Sequence, residues 1–387
     1  MTRKFFFFSE MGYNAYPEEE AQKYGFTALM FPNSVFDPPT ARALWEMFLR
    51  EHEYASEMGF DGSVCNEHHN NVLSMQESVN ISAAVISQRI NGTIALIGNP
   101  LPIHDNPVRV AEEIAMLDHI SGGRVVSGFV RGIGWEYFNH GINPADSRER
   151  FNEAHDVIIR AWTSTEPFQW WGKHYEFRYV NVWPRTVQVP HPPIYIPGAG
   201  STETMRYCAE KRYTFMSVYA PTSTIRRWFD GYRSACAELE YEPDPEKIAF
   251  AVPVYVAETH EQAHREARQH VEMLFHKLLK QGVEIVLPPG YMSESSLRGI
   301  LAGRAGAFAG LSYEDLVDND MVIVGSPESV TDQVVRLRDE LGFGQIMALM
   351  CIADMPHYRV LRTMELFAKE VIPHFRASQP EREAALA

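Results

Sequence analysis

Short uninterrupted apolar runs alternate along this chain with segments whose apolar residues recur every three or four positions. The runs at 4–9, 60–66, 93–98, 124–131, 194–197, 213–218, 248–256 and 345–351 read as strands. They are apolar on successive positions, the pattern of strands covered on both faces. Helix signals fall between them. Asn106 caps a helix with Pro107 at its first position, and Val110, Ile114 and Leu117 follow at helical spacing. Ser147 opens a second helix with Phe151, Ala154, Ile158 and Trp162 on one face. Ser326-Pro327 opens a third, with Val330, Val334, Leu337 and Leu341 inward. Thr259 and Gln262 have capping-box spacing. Strand–helix alternation of this kind predicts an α/β fold, a single (β/α)8 TIM barrel over residues 1–375, with a polar tail at 376–387.

Two stretches break the alternation. Residues 166–193 hold Trp170, Trp171, Tyr175, Phe177, Trp183 and five prolines, which reads as a short hairpin and an extended connection. Residues 275–324 exceed what one crossover needs. Connections of that length are lids or binding loops, and the run Ala302-Gly303-Arg304-Ala305-Gly306-Ala307 suits a part that moves.

Composition narrows the function. The chain has 387 residues, 45% of them hydrophobic, and a formal charge of −15. That charge argues against a nucleic-acid partner, which needs a basic face. The N-terminal apolar run is too short for a signal peptide, and no run of 18 apolar residues suggests a membrane partner. A cytoplasmic protein is expected. Cys65, Cys208, Cys236 and Cys351 show neither CxxC nor metal spacing, and Cys65 and Cys351 read as inert core thiols.

Polar residues at the carboxyl ends of barrel strands are where such an enzyme builds its site. The second strand ends Asn66-Glu67-His68-His69. An imidazole suits proton transfer because its ordinary pKa is about 6.5. The alternative is a hydrogen-bonded structural pair, one of several uses for 15 histidines. A metal site would draw on Glu67, His68, His69, His104 and Asp105. The first strand, however, ends Phe8-Ser9-Glu10 rather than in a His-x-His pair, and adjacent strand residues face opposite sides. No metal is expected. The fourth strand ends at Arg131 in a glycine-rich loop, and Arg148 follows at a helix start. A buried strand-end charge needs a partner, and an anion would serve. Ile194–Pro197 runs through Gly198-Ala199-Gly200 into Ser201 and Thr202 at another helix start, where backbone N–H groups favour phosphate. The spacing is neither a Walker motif nor a full GxGxxG.

Together these residues resemble the bacterial luciferase-like family of flavin-dependent monooxygenases. The resemblance rests on Asn66-Glu67-His68-His69, Asn106-Pro107-Val108-Arg109-Val110-Ala111-Glu112-Glu113 and Leu117-Asp118-His119-Ile120-Ser121-Gly122-Gly123-Arg124. It continues through Arg131-Gly132, Arg148, the Gly198–Thr202 turn and Gly325-Ser326-Pro327-Glu328, spanning about residues 3–375. It implies a barrel that dimerises, takes reduced FMN (FMNH2) from a separate flavin reductase, and reacts it with O2. The C4a-peroxyflavin so formed would oxygenate a small organic substrate. His68 would handle protons at the flavin edge, with His69 and Glu67 beside it. Arg131, Arg148, Gly198, Gly200, Ser201 and Thr202 would hold the phosphate, and Asn99 would lie by the isoalloxazine. Some members carry a non-proline cis peptide here, for which Gly98-Asn99 is the candidate. Tyr13, Trp135, Tyr219 and Tyr291 are candidate substrate-wall residues, though each suits plain packing too. Val130 stands where luciferases tend to have cysteine, so light emission is not expected. Arg212–Ser217 and Ala368–Pro373 resemble the Baeyer–Villiger members, which favours a carbonyl substrate. An F420-dependent dehydrogenase and a non-catalytic flavin-binding protein are the alternatives on the same barrel.

Overall fold

All four phenylalanines of the run Phe5–Phe8 are buried, because the strand that carries them is covered on both faces. In a computed structural model, the structure describes residues 4–25, 27–292, 294 and 310–376. The strands are β1 (Lys4–Ser9), β2 (Gly62–Cys65), β3 (Thr93–Leu96), β4 (Val125–Gly128), β5 (Phe168–Trp171), β6 (Glu176–Val180), β7 (Ile194–Pro197), β8 (Thr214–Ser217), β9 (Ile248–Val256), β10 (Ile323–Gly325) and β11 (Gln345–Cys351). Parallel pairing runs β1-β2-β3-β4-β7-β8, and β9 joins β8 to β11, which returns to β1. This closes the eight-stranded barrel that the alternation predicts. Phe5 and Phe7 pack outward, on Phe367 and His52. Phe6 and Phe8 therefore face the interior, since successive strand residues alternate.

The helices begin where their caps predict. Asn106, Ser201, Thr259 and Ser326 each accept a backbone N–H of the first turn. Helix Pro327–Leu341 buries Val330, Val334, Leu337 and Leu341 against the barrel. Each such side chain contributes about 1.5–3 kcal/mol. An aspartate at Val334 would place an unpaired charge in that layer and break the contact.

The hairpin in the proline-rich stretch is β5 paired antiparallel with β6. The long connection before β11 has elements of its own among the described residues. It carries a π-helical turn Leu274–Leu278, helices Val283–Val286 and Tyr313–Asp318, and β10, which pairs with the end of β9. Three strand residues are too few to register as a run. Ala302–Ala307 lies outside the described residues. The cis peptide bonds among the described residues are Trp183–Pro184 and Val189–Pro190, so the expectation for Gly98–Asn99 fails. The chain turns there through Asn99 at φ +60°, a left-handed conformation that asparagine tolerates. No helix among the described residues is long and apolar enough to cross a membrane.

One core residue sets an acid limit on stability. His52 of helix Pro38–Glu57 is fully buried, and neither ring nitrogen is bonded among the described residues. Burial pushes its pKa down to about 3. The unfolded chain takes a proton near pH ~6.5 and the native one does not. Stability from this site is therefore complete above pH ~6.5 and is lost toward pH 3, by about 1.4 kcal/mol per pH unit. His52→Leu should leave the barrel more stable at pH 5 than the parent, by a margin that grows as pH falls. Urea unfolding at pH 7, 6 and 5 measures this; a margin independent of pH would refute the assignment.

Candidate active site

The carboxyl ends of the barrel strands carry two polar clusters. The first forms where β1 and β2 end. β2 stops at Cys65, so Asn66, Glu67, His68 and His69 lie in the turn beyond it. The opposite-face rule for strand residues therefore does not separate the two histidines. Their partners do. His68 Nδ1 lies 3.2 Å from Glu136 Oε1, and its ring faces Trp135 at 5.8 Å. The His69 backbone N–H donates to Glu136 Oε2 at 3.0 Å. Its Nε2 meets Glu67 Oε1 at 3.2 Å, and its ring stands edge-on to His140. Glu67 Oε2 accepts the N–H of Val79, at the start of helix Val79–Ser87. Gly98 lets β3 end against this turn: a Cβ there would lie 2.9 Å from Glu67 N and Cβ.

Glu10, just past β1, completes the cluster. Tyr219, just past β8, donates its hydroxyl to Glu10 Oε1 at 2.7 Å. The Asn66 amide donates to Oε2 of the same carboxylate, and Gln76 Nε2 donates to Asn66 Oδ1 at 2.8 Å. Burial pushes the Glu10 pKa up, against the opposing pull of His68, Tyr219 and Asn66. For His68 burial alone would favour the neutral ring, but the Glu136 hydrogen bond and charge, with Glu10 and Glu67, outweigh it and raise the pKa. His69 is raised in the same way, chiefly by Glu67 and Glu136 against burial.

The second cluster joins the ends of β4 and β7. Arg148 Nη2 lies 3.3 Å from Ser201 Oγ, and its Nη1 and Nη2 lie 3.5 Å from Thr204 Oγ1. Ser201 caps helix Thr202–Lys211. Gly200 has φ +87° and lies so close to Trp228 that no Cβ would fit. Arg131 is near enough to Arg148 that its charge, after burial, lowers the Arg148 pKa. Arg131 Nη1 donates to the Tyr291 carbonyl at 2.8 Å, and its guanidinium lies over the Tyr291 ring at 3.9 Å. The carboxylate at this cluster is Glu203, which accepts from Ser201 Oγ at 2.6 Å and whose charge acts on Arg148. Helix Gly134–His140 links the clusters, since Glu136 meets the histidines and the Tyr137 hydroxyl donates to the Arg131 carbonyl.

The structure thus brings Glu67, His68, His69, Trp135 and Tyr219 into one cluster and Arg131, Arg148, Ser201 and Tyr291 into another. The Gly198 carbonyl accepts from Ser217. Thr202 is exposed on the first turn, and Thr204 rather than Thr202 meets Arg148. Asn99 is fully buried, its amide taken up by Asn80 and the Gly128 carbonyl. Tyr13 packs on Phe36 and accepts the Asp37 N–H, in a satellite core with Tyr16 and Ala41. Sequence reasoning missed Glu10, Gln76, Glu136 and Thr204. Glu10 could have been found, being a carboxylate at a barrel strand end. Glu136 could not, since nothing in Gly134-Trp135-Glu136-Tyr137 marks it as buried.

Comparison with known proteins agrees with this fold. A family model for luciferase-like monooxygenases matches residues 20–345. A 4-hydroxyprotoasukamycin monooxygenase from Streptomyces nodosus is 26% identical over 92% of this chain and 94% of its own. An FMNH2-dependent dimethylsulfone monooxygenase from Pseudomonas putida is 26% identical over 81% and 82%. An uncharacterized protein, y4wF, of Sinorhizobium fredii is 33% identical, but over only 47% of this chain and 53% of its own. Among solved structures, monooxygenase RslO1 from Streptomyces bottropensis has a TM-score of 0.73 at 24% identity, covering 96% of this chain and all of the other (100%). The oxygenating constituent of 3,6-diketocamphane monooxygenase from Pseudomonas putida, in complex with FMN, has a TM-score of 0.72 at 20% identity, with 96% and 99% covered. An F420-dependent secondary alcohol dehydrogenase shares the fold at a TM-score of 0.66 and 17% identity, with 96% and 99% covered. With more than half its length matched by the family model, and this barrel carrying it, the chain belongs to the luciferase-like monooxygenases.

Proposed function

We propose that this chain takes reduced FMN from a separate flavin reductase and, with O2, oxygenates a small organic substrate in the cytoplasm. The observation that carries the cofactor is Arg148. It is a half-buried guanidinium whose partners among the described residues are the Ser201 and Thr204 hydroxyls, beside a second arginine, at a helix N-terminus. Such a charge calls for an anion, and a terminal phosphate fits two guanidinium forks, two hydroxyls and the helix dipole. When bound, the reduced flavin supplies the electrons that activate O2. The rest is the protein's work. Arg131, Arg148, Ser201 and Thr204 would hold the phosphate, and Gly200 would let the backbone approach it. His68, at the other cluster, would move the proton that oxygen transfer requires, with Trp135 shielding it from water. The cofactor named for the dimethylsulfone relative supports FMN over F420. The likeness of Arg212–Ser217 to Baeyer–Villiger members supports a carbonyl substrate. The sequence shows no complete dinucleotide fingerprint, so reducing equivalents would arrive on the flavin itself.

A homodimer accompanies this reading. Ile81 and Val85 on helix Val79–Ser87, and Met116 and Ile120 on helix Pro107–Ser121, are exposed although apolar, Ile81 at 68%. Gln88 Nε2 donates to the Ile120 carbonyl and ties the two helices together. An outward apolar stripe at i, i+4 on two adjacent helices suits a self-complementary two-fold contact.

Three outcomes are expected. Arg148→Ala should weaken reduced FMN by about 1.5–3 kcal/mol, roughly 10- to 150-fold in Kd, and riboflavin far less. Anaerobic titration with both ligands, and with reduced F420, measures this. Equal losses for FMN and riboflavin, or tight F420 binding, would sink the assignment. His68→Ala should cut coupled oxygenation by about 10²–10⁴-fold with FMN affinity kept and H2O2 release increased; unchanged product yield would count against it. Ile81→Glu combined with Met116→Glu should give a monomer by light scattering if these helices make the dimer, and an unchanged mass would place the contact elsewhere.

A further inference from the structure

Three carboxylates are buried around His68, and among the described residues no lysine or arginine forms an ion pair with them. Glu10, Glu67 and Glu136 are only 6%, 7% and 1% exposed. Among the described residues their only ion-pair partners are histidines: His69 for Glu67 and His68 for Glu136. A buried carboxylate needs a counter-charge or a proton. Among the described residues the imidazoles that pair with these carboxylates are His68 and His69.

Glu136 is placed to decide which form of His68 is present. Its Oε2 accepts the His69 backbone N–H at 3.0 Å, which fixes the carboxylate plane. Its Oε1 then meets His68 Nδ1 at 3.2 Å. A carboxylate accepts only, so Nδ1 carries the hydrogen. No partner among the described residues is bonded to His68 Nε2. It is the ring atom left for a reactant. If the ring were neutral, Nε2 would be bare and act as a base. If it were charged, Nε2 would carry a proton to give. The groups facing the ring are Glu136 from helix Gly134–His140, Glu10 from the end of β1, Glu67 from its own turn, and Tyr219 behind Glu10. All three charged groups are acidic. The raised pKa of His68 follows this arrangement, with burial opposing it.

We propose that Glu136 is a positioning residue that keeps His68 as an imidazolium, so that His68 enters the reaction as a proton donor through Nε2. This rests on the reading of His68 as the residue that meets the reactant. In the step, the Nε2–H bond breaks and an O–H bond forms on an oxyanion of the reactant. The ring is left neutral with its Nδ1–H still held by Glu136, and solvent returns the proton to Nε2.

The expected pH dependence follows in sign. The donor form is present below the raised pKa, so coupled oxygenation falls as pH rises through it. Removing the Glu136 charge moves that limb to lower pH, by roughly 1–3 units. The test is NMR of the imidazole resonances in the flavin-free protein, with His68→Gln supplying the assignment. The parent should titrate above the ordinary ~6.5, and Glu136→Gln should titrate lower. Glu136→Asp, which keeps the charge, should recover part of the shift. The pH profile of coupled product should move with the titration while FMN affinity stays constant. A parent His68 that titrates below the ordinary value overturns the proposal, and that measurement needs no variant to fold. A high titration that Glu136→Gln leaves unmoved overturns the role of Glu136. A high titration that Glu136→Gln lowers, with a product profile that does not follow, overturns instead the reading of His68 as the residue meeting the reactant.

Discussion

Closure of the parallel sheet is the constraint on which the rest depends. Phe215, Met216 and Ser217 of β8 pair with Ile248, Ala249 and Phe250 of β9, while Ala249 to Pro253 of β9 pair with β11 on the other edge. Without that seam the sheet would be open, and the ends of β1 and β8 would have no reason to meet. With it, Glu10 and Tyr219, which are 209 positions apart in sequence, share a hydrogen bond. The same seam aligns the ends of β2, β4 and β7 on one rim. Each strand is too short to offer more than one or two polar residues, so a site of this complexity has to be collected from several of them.

The rim is divided electrically. On one side two arginines stand together with hydroxyls and a helix N-terminus. On the other, three carboxylates surround two imidazoles. Opposite charges so close would cancel if the side chains could reach one another. Helix Gly134–His140 stands between them and keeps Glu136 pointed at His68 rather than at Arg131. Its position explains two further features. Gly134 leaves no room for a Cβ beneath Ile285 and Pro288, so the segment after β9 lies directly on the helix. Tyr291 from that segment covers Arg131 and bonds the Gly132 carbonyl at 2.5 Å. The aromatic residue expected to line a substrate wall thus covers the proposed phosphate side.

What the sequence revealed depended on the range of the interaction. Runs at 4–9, 194–197, 248–256 and 345–351 have the observed bounds, because barrel strands buried on both faces leave an unbroken apolar signal. The runs at 60–66 and 124–131 overshoot β2 and β4, and Asn66 and Arg131 at their ends belong to the rim. Helix caps were legible because a cap acts over three residues. His68 was legible by its place after a strand. Its partner Glu136 was not, because the contact spans 68 positions and depends on closure, which no local pattern encodes. The cis bond proposed at Gly98–Asn99 failed for a related reason. The need for a tight turn could be read, whereas the choice between a cis bond and a left-handed asparagine is made by Asn80 and the Gly128 carbonyl holding the Asn99 amide.

Unpartnered buried atoms occur both at the working rim and in the scaffold. Gln76 Oε1, His104 Nε2 and Trp135 Nε1 have no hydrogen-bond partner among the described residues. Gln76 bonds Asn66, Trp135 faces His68, and His104 feels the charges of Glu67, His140 and His69. These three lie around the proposed proton donor, while others, such as Glu51 Oε2, both His52 nitrogens and Tyr207 Oη, lie elsewhere. An unmade hydrogen bond costs about 1–3 kcal/mol for each buried group, and at the rim a bound reactant or water would offset that cost. His52, unpartnered in the helical layer beside the unpartnered Glu51 Oε2, packs on Phe7, and its cost falls on stability. The same defect thus has two consequences. Beneath the helices it limits tolerance of acid, and at the rim it leaves donors and acceptors that only a bound reactant or water can satisfy.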